Sequence, residues 1–232
     1  MNPKKILFVN PKIRMALSGV CLASCVLFAS APSSAAEAVG IPLPPPQIES
    51  GMPVMQALAK RQTSRSFSDA ELSPSQLSHI LWAANGVNRP ESGNRTNPAA
   101  LGVHSVEVYA VTAEGIYLYQ PENHALQSVA EGDFRMTTTT GQAFVGQAPL
   151  TLVYVGNASA WENARRVPSG EQQVLYDSIA AGAMTQSVAL VAAAEGLGTC
   201  VRASIDHGAF GEAAHLQEGQ TILLAQTLGV LP

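Results

Sequence analysis

Lysine almost vanishes from this chain once its first 36 residues are set aside. Charged side chains make up only 13% of the 232 residues and aromatics 6%. Residues 1–36 hold four of the 13 basic residues (Lys4, Lys5, Lys12 and Arg14) and none of the 17 acidic ones. Residues 37–232 carry nine basic and 17 acidic residues, a net charge of −8, with Lys60 as their one lysine. That balance argues against a nucleic-acid partner and against an anionic membrane surface. Cysteine is as scarce. Cys21 and Cys25 lie in the leading segment, so Cys200 alone remains and no internal disulfide can form after it. The histidines (79, 104, 124, 207 and 215) show no metal-ligand spacing, and no metal site is expected. There is no internal repeat, and no later apolar run demands a membrane span. At 47% hydrophobic, the chain is globular in composition and not disordered.

The leading segment has the layout of a secretory signal. Its four cations precede the run MALSGVCLASCVLFASA from Met15 to Ala31, and small residues come next. Cleavage after Ala36 places Ser34 and Ala36 at the two small positions, and a cut after Ala38 is equally legal. An uncleaved anchor and a lipid on Cys25, in Leu22-Ala23-Ser24-Cys25, are the alternatives. The expectation is residues 1–36 as signal peptide, an exported and periplasmic protein, an extended proline-rich linker over 37–50, and a folded domain over 51–232.

Within the domain, a short helix is expected over Met55–Lys60. Ser73-Pro74-Ser75-Gln76 reads as a capping box with Pro at the first helical position. The helix it opens stops at Gly86, with Leu77, Ile80, Leu81 and Ala84 on one face. Strands are predicted at Ser105–Val111, Ile116–Tyr119, Leu150–Val155, Thr199–Ala203 and Thr221–Leu228. Leu150–Val155 is apolar throughout, as a central strand would be. Gln172–Ala194 is a long helix apolar on most sides, hence buried at the centre or set across a subunit interface. A short helix is expected near Ala209–Leu216. The order α, α, β, β, β, α, β, α, β gives an α+β fold, a mixed sheet flanked by helices.

The feature with chemistry in it is KRQTSRSF, residues 60–67. Three of the nine cations, Lys60, Arg61 and Arg65, fall within six positions, with Thr63 and Ser64 between them. Guanidinium forks, hydroxyls and turn amides are what a phosphate monoester requires. A solvated helix end, where cations complement the dipole, is the alternative.

Five segments, taken in order, resemble the nitroreductase family. Arg61-x-Thr63-x-Arg65-x-Phe67 is similar to its N-terminal FMN-phosphate motif. ELSPSQLSHILWAANG (71–86) is similar to the helix that comes after it. GNRTNPAALGVHSVEVYAV (93–111) is similar to its G-x-R-x-x-P segment, in wording closest to the azoline dehydrogenases of thiazole/oxazole-forming clusters. The helix ending in GLGT (182–199) and the terminal LGVLP complete the match, which covers residues 51–232.

The resemblance implies an FMN-dependent oxidoreductase and a homodimer acting on a small molecule or peptide. Arg61, Thr63 and Arg65 would hold the phosphate, with Gln62 beside them. Pro98, Ala99 and Ala100 would pass along the isoalloxazine or ribityl, in many members from the partner subunit. Gly182 and Gln186 would face the flavin, and Leu197 and Gly198 would cover its ring. No side chain is required as a catalytic nucleophile, because the flavin carries the chemistry. Two departures stand out. Ala99-Ala100-Leu101 replaces the family's Ser-Ala-Gly, and no Lys or Arg comes after the final G-x-P, a place Arg202 would have to fill. A non-catalytic flavin-binding or structural descendant is the alternative function.

Overall fold

The computed structural model describes residues 40–49 and 51–232. The signal, lipidation and anchor expectations fall on residues outside that range. Seven strands form one sheet: β1 (Ile41–Pro42), β4 (Val106–Val111), β5 (Gly115–Gln120), β6 (Ala125–Glu131), β7 (Leu150–Asn157), β8 (Leu197–Arg202) and β9 (Gln220–Val230). Their order across it is β1-β6-β5-β4-β7-β9-β8. A small hairpin, β2 (Val87–Arg89) with β3 (Asn94–Arg95), stands apart. The helices are α1 (Val54–Lys60), α2 (Pro74–Asn85), α3 (Gly170–Ala194) and α4 (His207–Ala213). The α+β class is as expected. The mixed sheet is antiparallel at every strand pair, and its parallel element is a single bridge from Thr63 to Thr199.

The apolar run at Leu150–Asn157 is explained by its place. Strand β7 lies between β4 and β9, and its side chains alternate between two cores. Leu152 and Tyr154 face α2 and α3, against Ile80, Leu81, Ala181, Met184 and Val188. Val153 and Val155 face Phe210, Ile205 and Ile222 on the other side. The capping box of α2 forms as its sequence predicts, Ser73 and Gln76 each accepting from the other's backbone N–H. Ser169 and Gln172 build a second capping box at the start of α3.

The proline arm is extended and belongs to the sheet. Ile41 and Pro42 pair with Leu126 and Ala125 at the β6 edge, where a missing N–H costs little. Pro44 O accepts hydrogen bonds from Ser78 Oγ (2.6 Å) and His124 Nε2 (3.1 Å), and Gln47 N–H donates to His79 Nε2 (3.0 Å). His79 Nδ1 in turn meets Glu195 Oε1 at 2.5 Å. The domain therefore begins before Gly51, at the arm.

Helix α3 buries one face and leaves another open. Ala180, Ala181, Met184, Val188 and Ala192 are in the core, while Val174, Leu175 and Ile179 are exposed. By length and composition it is apolar enough to cross a membrane, yet its buried side packs on the sheet. Asp177 lies on that buried side and accepts from Ser105 Oγ. Gly156 makes room for it: a Cβ there would come within 2.5 Å of Asp177 Oδ2.

Burial pushes the Asp177 carboxyl above its ordinary value, and the Ser105 hydroxyl and Trp161 indole pull it back only in part. A carboxyl raised on folding contributes stability below its unfolded pKa and loses it as pH rises through the folded pKa. Asp177→Asn is therefore expected to gain on the parent protein as pH rises from about 4 to about 8 in urea unfolding. A stability difference that stays flat across that range would refute this.

Candidate functional site

The basic segment is held against the sheet by backbone and by one aromatic ring. Helix α1 stops at Lys60 because Arg61 turns extended (φ −56°, ψ 120°). Thr63 then bridges to Thr199 in parallel, and Ser64 N–H donates to Thr199 O at 2.9 Å. Ser68 N–H reaches Val230 O, also at 2.9 Å. Between these bonds, Phe67 lies over Gly198 and Gly229, which are direct partners across β8 and β9. A Cβ on Gly198 would come within 2.9 Å of Ser64 Cβ and 3.2 Å of Phe67. A Cβ on Gly229 would come within 2.9 Å of Phe67. The glycine pair is thus the flat seat on which the ring rests, and Phe144 packs on that ring at 6.2 Å.

The Thr63–Thr199 bridge also decides which way the segment faces. Bridged residues project to the same side of a sheet. Thr199 faces α3, since its Oγ1 accepts from Gln226 Nε2, which also donates to Thr185 O on that helix. Thr63 shares that side. Val201, two residues beyond Thr199, is exposed there, and Gln186 and Gly182 lie on the open stripe of α3 that Leu175 and Ile179 begin. A Cβ on Gly182 would meet nothing within 4 Å, so packing does not require a glycine there.

The cations of this segment are uncompensated. Arg61, Arg65 and Lys60 form no side-chain hydrogen bond or ion pair with the described residues. By contrast, Arg95 pairs with Glu122 (2.7 Å) and Arg135 with Asp133 (2.7 Å). Arg202 is buried and donates to Thr138 O (2.7 Å) and Thr227 Oγ1 (2.9 Å). It braces the turn at Arg135–Thr138 and is not turned toward the basic segment.

Gln62 lines a cavity of about 400 Å³ with Lys60, Leu197 and Thr199. Gly198 faces the basic segment itself, under Ser64 and Phe67. Pro98–Ala100 hang from Asn97, a residue that charge and motif reading do not single out. Asn97 is buried, donates to Ala83 O (2.6 Å) and Ala84 O (2.9 Å), and accepts from Ser187 Oγ (2.5 Å). The Asn-Pro dipeptide is the local signal that points to it. His104 is half-buried, and burial, then the charge of Arg95, holds it below the usual imidazole value. Cys200 is buried in β8, as expected of an inert thiol. No three-residue metal cluster occurs among the described residues.

The profile of the Nitroreductase family matches residues 58–230, from just before the basic segment to the end of β9. The chain belongs to the nitroreductase family. A nitroreductase-like protein of Methanocaldococcus jannaschii is 32% identical over 151 residues, 61% of this chain and 74% of that one. A crystal structure of a nitroreductase-like protein from Ralstonia eutropha JMP134 is 37% identical, covers 83% of this chain and 89% of that one, and superposes with a TM-score of 0.76. The same fold, at 20% identity, is found in the Escherichia coli microcin synthetase McbBCD complex with truncated pro-MccB17 bound (94% and 85% covered, TM-score 0.61). It is also found, again at 20%, in a Desulfovibrio desulfuricans nitroreductase-like protein in complex with FMN (78% and 87%, TM-score 0.55).

Against the family pattern, Leu101 gains a physical meaning. It stands where the resemblance places a glycine, and it keeps a glycine's backbone at φ 54°. It is also 62% exposed. A leucine in that left-handed region is strained by roughly 1–2 kcal/mol, and the surrounding turn holds it there.

Phe67→Ala should remove about 3 kcal/mol of stability, the usual cost of emptying a buried aromatic site. Chemical denaturation measures it. A loss near zero would mean the ring does not hold the segment.

Proposed function

We propose that the chain is an FMN-dependent oxidoreductase, with Arg61, Thr63 and Arg65 as the clasp of the cofactor's phosphate. The observation that carries this is the pair of unpaired guanidiniums fixed to the sheet edge in an acidic chain. The residues fit the group. Two guanidiniums match a phosphate dianion in charge, Thr63 adds a hydroxyl, and the open space at Gly182 suits the close approach of a flat ring. When bound, FMN supplies two-electron redox chemistry. The protein's own part is to anchor the phosphate, to offer the exposed amide of Gln186 as donor and acceptor, and to present the apolar surface of Val201.

The exposed apolar residues Leu101, Val174, Leu175 and Ile179 support a homodimer built on the open face of α3. The segment around Pro98 supports placement in the azoline dehydrogenase-like subgroup, with a small molecule or peptide as substrate. The layout of residues 1–36 supports export, to a compartment without a ready NAD(P)H pool.

Flavin content of the purified protein tests the clasp. Arg61→Ala and Arg65→Ala should each weaken FMN binding about tenfold or more, the worth of one charge-assisted hydrogen bond. Unchanged flavin content in both would end the assignment. Bleaching of the bound flavin by a reductant and its recovery with an acceptor would mark an enzyme. A flavin that binds and does not cycle would mark the non-catalytic descendant.

A further inference from the structure

The cavity of about 400 Å³ beside the clasp has walls of Ala189, Ala193, Leu197 and Leu231. Three polar residues interrupt them: Lys60, Gln62 and Thr199. Behind Thr199 runs a buried relay in which almost every proton is assigned. Tyr154 Oη donates to Gln226 Oε1 at 2.8 Å. The Gln226 amide spends its two hydrogens on Thr185 O (3.0 Å) and Thr199 Oγ1 (3.0 Å). Thr185 O is a carbonyl and can only accept, so the orientation of the Gln226 amide is fixed. Tyr154 and Gln226 are fully buried, and Thr199 is 4% exposed. Thr199 Oγ1 is therefore locked as an acceptor, and its own hydroxyl proton has no acceptor among the described residues. That proton belongs to a side chain on the cavity wall. Lys60, facing no carboxylate, adds a charge, and Gln62 adds an amide.

We propose that this cavity is an oxyanion subsite, in which Lys60, Gln62 and the Thr199 hydroxyl take the phosphate or carboxylate head of a molecule whose apolar body rests on the alanines of α3. The cavity is several times larger than a bare phosphate, and its walls are mostly apolar, so the anion arrives attached to something. The source is a separate anionic small molecule, since the flavin's phosphate is assigned to Arg61, Thr63 and Arg65. The inference shares a segment with the flavin reading and does not depend on it. Arg61→Ala and Arg65→Ala test that reading without touching this cavity.

The test is calorimetric titration of inorganic phosphate into the flavin-free and the FMN-treated protein. Lys60→Met, Thr199→Val and Thr199→Ser are compared with the parent. Lys60 is exposed at a helix end, so Lys60→Met folds even if Thr199→Val is compromised by the acceptor it takes from Gln226. Phosphate should bind the parent, and Lys60→Met and Thr199→Val should each weaken it about tenfold, while Thr199→Ser stays near the parent. If FMN blocks phosphate and Lys60→Met also weakens FMN but not riboflavin, the cavity is part of the flavin's own phosphate site and the proposal of a separate subsite is overturned. If phosphate still binds beside FMN, the source is a separate molecule. Equal phosphate affinity in the parent, Lys60→Met and Thr199→Val overturns the proposal and leaves Lys60 as a complement to the α1 dipole.

Discussion

Phe67 on its glycine pair is the contact on which the rest of the site depends. Residues 61–66 have no helix or long strand of their own, and they touch the sheet through one bridge and the backbone bond of Ser64 to Thr199. What keeps them in one place is an aromatic ring pressed onto Gly198 and Gly229 and covered by Phe144. Burying such a ring is worth about 2–3 kcal/mol. That is enough to fix at the sheet edge a segment that carries two arginines. Without the seat, the cations would be a flexible loop. With it, they are held at the sheet edge beside Thr199.

The arginines divide into two groups. Arg95, Arg135 and Arg202 are used by the fold, through Glu122, Asp133 and the buried carbonyl of Thr138. Arg61 and Arg65 are not; Arg165 and Arg166 are unpaired as well, and what sets the first two apart is that their segment is fixed to the sheet through Thr63 and Phe67. Leu101 stands apart through its backbone: an exposed leucine kept in a glycine's conformation.

Much of this is legible in the sequence, for reasons that can be named. The capping box at Ser73 and the unbroken apolar run of β7, buried on both faces, are local rules written in adjacent residues, and both appear as read. Strand β6 escapes such a reading because ALQSVAE has few β-branched residues and takes its form from pairing with β5. Strand β1 escapes it because prolines suggest a linker, while an edge strand tolerates them. At the site, the cluster at 60–67 is visible as charge. The seat at Gly198 and Gly229, the relay through Gln226 and the anchor at Asn97 join residues far apart in the chain, and no local pattern announces them. Charge alone makes Arg202 a candidate for the clasp, and only its burial shows that it serves the Arg135–Thr138 turn.

If the bare cations of the clasp exist to take the phosphate of a flavin, the protein must tell FMN from riboflavin, which differ only in that phosphate. Parallel titrations of the flavin-free protein with the two ligands measure this. Two charge-assisted contacts predict FMN to bind at least about a hundredfold tighter, with the advantage shrinking as salt is raised. Equal affinity for the two flavins, or no salt dependence of the difference, would contradict it.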